Sequence, residues 1–200
     1  MKKVALTGGI ATGKSYVLSQ LRKQGVPCLD ADALAHGVLG AGTEATQQVA
    51  ARFGAGILAP DGSVDRGRLG AIVFADPSAL RDLEAIVHPA VYRTVTAGLR
   101  AFERIGNDPV AVVDVPLLYE TGHAPDFDRV IVTMCAPAVQ LTRLRQRGIS
   151  EAEAQQRMAA QWPSGDKAAH ADFVIRTDGT YAETDAQISN ILKILTSSNS

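Results

Sequence analysis

Gly8-Gly9-Ile10-Ala11-Thr12-Gly13-Lys14-Ser15 is the stretch from which the fold is read. A glycine, four residues, then glycine-lysine-serine is the Walker A phosphate-binding spacing. Ahead of it, Lys3-Val4-Ala5-Leu6-Thr7 is a short apolar run of the kind that forms a buried strand. Behind it, Tyr16-Val17-Leu18-Ser19-Gln20-Leu21 places Val17, Leu18 and Leu21 on one helical face. The motif therefore sits in the strand–loop–helix context it needs. Its glycines let the backbone wrap around a phosphate with amide N–H groups pointing inward. The helix start adds the positive end of its dipole. Lys14 is placed to reach β- and γ-phosphates, and the Ser15 hydroxyl to ligate Mg²⁺. These residues, with Tyr16 after them, are the expected triphosphate site.

The 200 residues suit one α/β domain carrying an insertion, with a sizeable core. A net charge of −1 gives no sign of a nucleic-acid or membrane-surface binder, so anion binding must come from local clusters of Arg and Lys. Cys28 and Cys135 are far apart, each in an apolar run, and read as free buried thiols in a reducing compartment. The apolar run after Met1-Lys2-Lys3 ends at Thr7-Gly8-Gly9, too short for a secretory leader, and no run has the length of a membrane span. A cytoplasmic location is expected. The oligomeric state is left open, and a monomer accommodates every element read here.

Gly25 and Pro27 close the first helix, and Val26 to Leu29 reads as a second strand delivering Asp30-Ala31-Asp32. In open parallel sheets that carboxyl edge is where ligands bind. An aspartate there either serves the chemistry, as proton acceptor or Mg²⁺ partner, or caps a helix starting near Ala33. From Ala33 to Ile105 the pattern is mainly helical, with His88-Pro89 expected to break one helix into two. So long a stretch between strands exceeds an ordinary crossover and reads as a helical insertion for an acceptor.

Val110-Ala111-Val112-Val113-Asp114 resembles a Walker B strand, whose acid meets the P-loop Mg²⁺, here possible for Asp114 through water. Pro116-Leu117-Leu118-Tyr119-Glu120 follows at the binding edge. Residues 127–133 form a fourth strand and 171–176 a fifth. Between them a helical pair presents Arg143, Arg145, Arg147 and Arg157 and, after a turn, Lys167, with Ser150 and Glu153 at capping-box spacing. This segment reads as a lid that closes its cations on the phosphates. Thr180 and Glu183 cap a last helix, and residues 196–200 are expected to fray.

The fold class is therefore α/β: a three-layer P-loop NTPase fold, a five-stranded parallel sheet flanked by helices, with a helical acceptor-binding insertion and a helical lid. One domain is expected, its core at about 1–32, 108–142 and 171–200, the insertion at about 33–107 and the lid at about 143–170. A guanine-reading N-K-x-D element is lacking. A small-metabolite kinase fits better than a switch GTPase or a regulatory ATP-binding module.

Here the sequence resembles the dephospho-coenzyme A kinase family. The resemblance rests on Thr7-Gly8-Gly9-Ile10 running into the Walker A motif, Asp30-Ala31-Asp32, His88-Pro89 and Pro116-Leu117-Leu118-Tyr119-Glu120. Asp65-Arg66, Arg143-Leu144, Arg147, Gln161, Lys167 and Ala171-Asp172 complete the series. It implies ATP-dependent phosphorylation of the ribose 3′-hydroxyl of dephospho-coenzyme A, with Mg²⁺. It further implies Asp32 as general base, Lys14 and Arg147 on the transferring phosphoryl group, and Arg143 with Arg147 at ATP. His88, Pro89, Leu117 and Leu118 would line the acceptor site beside Asp32. The chain departs from the family pattern at Tyr16, commonly threonine, and at Arg176-Thr177-Asp178-Gly179, often asparagine-rich; no adenine contact is assigned there.

Overall fold

The computed structural model describes residues 1–197. It divides into two compact units, one formed by residues 1–30 and 101–200, the other by residues 31–100.

The first unit is built on five parallel strands: β1 (Lys2–Gly8), β2 (Cys28–Asp30), β3 (Val110–Asp114), β4 (Arg129–Met134) and β5 (Phe173–Arg176). Their order in the sheet is β2-β3-β1-β4-β5. Both neighbours of β1 pair in parallel, with Leu6 opposite Asp114 on one side and Ile131 on the other. A strand buried on both faces reads as an unbroken apolar run, and Val110 to Val113 is one. Helix α1 (Lys14–Lys23) turns Val17, Leu18 and Leu21 onto the sheet, where they meet Val4, Leu6 and Ile188.

The second unit holds α2 (Ala31–Val38), α3 (Glu44–Phe53), α4 (Arg66–Val73) and most of α5 (Pro77–Ile105). Val49, Ile57, Val64, Leu69, Val73 and Ala79 form its core. Thr43 caps α3 by accepting the Thr46 N–H, and Asp65 caps α4 by accepting from Gly67 and Arg68. The expected break at His88-Pro89 does not occur. Pro89 lies inside a single α5, where its missing N–H leaves the Ala85 carbonyl without the usual donor. Burial of Ala90, Val91, Val95 and Leu99 on the continuing face outweighs that loss.

Back in the first unit, α6 (Pro137–Gln146), α7 (Glu151–Ala159) and α8 (Ser164–Ala169) lie between β4 and β5. The Ser150 hydroxyl accepts the Glu153 N–H, as its spacing predicts. Helix α9 (Tyr181–Ser197) starts at a reciprocal box in which Glu183 also accepts the Thr180 N–H at 2.7 Å. Of the residues expected to fray, Thr196 and Ser197 are helical, and 198–200 lie outside the described residues.

Candidate active site

Between β1 and α1 the loop is held by its own threonine. The Thr12 hydroxyl donates to the Gly9 carbonyl at 2.7 Å and sits 2.8 Å from the Thr133 hydroxyl on β4. Ala11 adopts φ 60°, an unusual conformation for a residue with a side chain. Gly13 ends the loop at φ 88°, and a Cβ there would press on Thr177 at 3.1 Å. Only glycine meets both conditions. Gln161 accepts the Ile10 N–H at 2.8 Å, and Gln140 donates to the Ile10 carbonyl at 2.7 Å. By contrast, the amides of Ala11, Gly13, Lys14 and Ser15 meet no protein acceptor among the described residues. A bent loop with four free N–H groups at a helix start is an anion cradle.

The charges follow the same edge. Lys14 is ion-paired with Asp114, the last residue of β3, and both side chains are largely buried. Ser15 stands exposed one residue further on. Arg143, expected in a lid, instead braces the loop from α6: its guanidinium donates to the carbonyls of Ala11 (3.1 Å) and Thr177 (2.5 Å) and to the Thr177 hydroxyl (3.1 Å). Thr177 in turn donates to the Thr12 carbonyl at 2.6 Å. Arg147, one helical turn on, is exposed and makes no ion pair among the described residues. The two arginines thus part: one is committed to the loop, the other lies exposed.

Tyr16 turns toward α9, where its hydroxyl donates to Asp185 at 2.8 Å and its ring meets Tyr181 at 4.7 Å. Arg176 pairs with Asp178 at 2.8 Å, which holds that carboxyl below its ordinary range. A cavity of about 570 Å³ opens beside Gly9, walled by Met134, Pro137, Gln140, Met158 and Trp162. Leu117 is 41% exposed, whereas Leu118 is fully buried and has no surface to offer a substrate, against the expectation that both line an acceptor site. Lys167 likewise is not presented outward. It is fully buried and paired with Glu120 at 2.7 Å.

In the second unit, Asp32 lies in the first turn of α2 with an exposed carboxylate that makes no cap among the described residues. The helix begins earlier than expected, at Ala31, so Asp30 precedes it and the capping role falls away from Asp32. His88 is half-buried and Pro89 exposed on α5. A groove of about 490 Å³ runs between α2, α3 and α5, lined by Leu34, Val38, Ala90 and Thr94.

Sequence reading missed Gln140, Gln161 as a P-loop partner, Thr177 and Glu120. Each acts across more than 40 residues of chain, and no local spacing marks it.

A Walker A cradle at the carboxyl edge of a parallel sheet in the order β2-β3-β1-β4-β5, with a lysine–aspartate pair at its mouth, defines a P-loop kinase fold. The comparisons narrow the class. The dephospho-CoA kinase family model (CoaE) matches residues 2–183, and the chain belongs to that family. It is 50% identical over 183 residues to the dephospho-CoA kinase of Anaeromyxobacter dehalogenans, covering 90% of this chain and 85% of that one. With the Geobacillus kaustophilus protein of the same name it shares 45% over 191 residues, covering 95% and 94%. The solved dephospho-CoA kinase from Campylobacter jejuni superposes with a TM-score of 0.75 at 25% identity, covering 99% and 98%. The chain is an ATP-dependent kinase.

Proposed function

We propose that the enzyme transfers the γ-phosphoryl group of ATP to the ribose 3′-hydroxyl of dephospho-coenzyme A, giving coenzyme A and ADP. The observation that carries this reading is the cradle itself: four amides that meet no acceptor among the described residues, beside a lysine paired with a carboxylate. When triphosphate enters, its β- and γ-oxygens replace Asp114 as the partners of Lys14. The bond from the γ-phosphorus to the bridging oxygen breaks, the ribose oxygen bonds to that phosphorus, and the hydroxyl proton passes to the Asp32 carboxylate. In a loose transition state most of the rate comes from positioning and charge neutralisation, here by Lys14, Arg147 and the amides of the loop.

The residues present fit Mg²⁺. The exposed Ser15 hydroxyl and the Asp114 carboxylate are hard oxygen donors, and Mg²⁺ at phosphate sites is held by one or two such groups with the remaining positions left to water and phosphate. When bound, the ion neutralises charge on the β- and γ-oxygens. Leu117, His88, Pro89 and the groove between α2 and α5 take the acceptor, and α7 with its flanking turns, carrying Arg147, serves as the lid. A small kinase with free thiols at Cys28 and Cys135 belongs in the cytoplasm, where it works on small molecules without nucleic acid or membrane. No helix among the described residues is long and apolar enough to cross a membrane.

The test is ADP release with Mg-ATP and a panel of acceptors including dephospho-coenzyme A, with mass spectrometry to locate the added phosphate. Release that depends on dephospho-coenzyme A and yields the 3′-phosphorylated product supports the proposal. Release driven only by another acceptor, or by none, overturns it.

A further inference from the structure

Among the described residues the largest side chain with no exposed surface is a lysine. Lys167 reaches from α8 to the five residues that follow β3. Its ammonium bonds the Pro116 carbonyl at 3.1 Å and the Glu120 carboxylate at 2.7 Å, so it grips the first and last residues of Pro116–Glu120. The same Pro116 carbonyl accepts the hydroxyl of Thr7, the residue just before the P-loop, at 3.2 Å. Glu120 also accepts the Trp162 N–H at 2.9 Å, and the rings of Tyr119 and Trp162 lie stacked at 5.8 Å. One cation therefore ties the end of β1, the segment after β3 and the turn before α8.

Burying such a pair is a poor way to gain stability, because the desolvation of both charges offsets their attraction. What it supplies is fixed geometry: an ammonium has three donors and a carboxylate directional acceptors. The gripped segment keeps Leu118 inside and turns Leu117 out at the ligand-binding edge. We propose that Lys167 is a positioning residue for the acceptor. It does not touch substrate; it holds Pro116–Glu120 in the shape that receives dephospho-coenzyme A. The inference rests on the reaction proposed above.

The experiment compares wild type with Lys167→Met, Lys167→Arg and Glu120→Gln, measuring KM for each substrate and kcat alongside thermal melting. Lys167→Met raises KM for dephospho-coenzyme A about tenfold or more while KM for ATP stays within about twofold, and Lys167→Arg recovers most of the loss. Should Lys167→Met fail to fold, Glu120→Gln decides. Its amide still accepts the Trp162 N–H but no longer pairs with a charge, and the expected rise in acceptor KM is about threefold or more. A lowered melting temperature with both KM values unchanged in the folded variant overturns the proposal, as does an equal rise in both. Wild type that leaves dephospho-coenzyme A unphosphorylated overturns the reaction and this inference together; active wild type with an unmoved acceptor KM in the variants overturns this inference alone.

Discussion

Lys14 and Asp114, one hundred residues apart, are joined in an ion pair at the mouth of the P-loop. Parallel pairing of β1 with β3 sets Leu6 opposite Asp114, so the strand end delivers the carboxylate beside the loop that carries the lysine. The pair holds the Lys14 side chain at the mouth of the loop. Asp114→Asn is expected to lower kcat by about 10²-fold or more and to raise the Mg²⁺ concentration needed for half-maximal rate. A Mg²⁺ titration of initial rates measures both. Wild-type kinetics at low Mg²⁺ would remove Asp114 from the metal's surroundings.

The exposed Asp32 carboxylate makes no cap and meets no side-chain partner among the described residues, so its substitution should disturb chemistry and leave the fold alone. Asp32→Asn lowers turnover by roughly 10²–10⁴-fold with ATP affinity nearly intact. Equilibrium nucleotide binding and single-turnover rates separate the two. Turnover within a few-fold of wild type would assign the proton to another acceptor.

The division between Arg143 and Arg147 gives opposite signatures. Arg143→Ala strips donors from the carbonyls of Ala11 and Thr177 and should lower the melting temperature and weaken ATP binding together. Arg147→Ala, which removes an exposed side chain with no ion pair among the described residues, should melt like wild type and lose about 10–10³-fold in kcat. Melting curves set beside kcat values for the two variants test the division; identical profiles would erase it.

Thr177 links Thr12, Arg143 and the Gly13 contact in one side chain. Thr177→Val keeps the shape and removes the hydroxyl, leaving the buried Thr12 carbonyl unpaired. The expected cost is about 1–3 kcal/mol, or roughly 2–10 °C in Tm, accompanied by a higher KM for ATP. Calorimetry showing an unchanged Tm would make the hydroxyl dispensable.

Burial pushes the Cys28 thiol up to about 11, with Asp114 adding to the shift and Arg22 opposing it. A raised value means less thiolate at any given pH, and thiolate is the reactive form. At pH 8 alkylation of Cys28 should run roughly a hundredfold slower than that of a free peptide thiol, then climb about tenfold per pH unit without levelling before pH 10. Iodoacetamide kinetics followed by mass spectrometry give the profile. A plateau near pH 8.5 would mean the thiol is solvated as in an open chain.

What the sequence disclosed and what it hid divide along one physical line. The Walker A loop, the strand ending in Asp114 and the two capping boxes at Ser150 and Thr180 are local: spacing, periodicity and cap chemistry lie within a few residues of one another. The Lys167–Glu120 pair closes across 47 residues, and a lysine written beside Asp166 and Ala168 looks like any solvated residue until the chain is folded. Helix α8, with six residues, is too short to show a hydrophobic period. At His88-Pro89 a local rule was read rightly and overruled by tertiary packing further along the helix.

The place of β1 has a consequence for how the protein comes into being. It is the first strand made and the central strand of the finished sheet, yet its neighbours β3 and β4 begin at Val110 and Arg129. At ribosomal speeds of 5–20 residues per second, β1 waits roughly 5–20 s before its first partner has even been synthesised. Throughout that interval an apolar strand and a glycine-rich loop remain without a sheet, and every pairing that rescues them is long-range, the kind that slows folding. The residues that give the enzyme its phosphate site are therefore the ones a nascent chain must shield longest, and chains arrested before β4 are expected to be the most prone to aggregate.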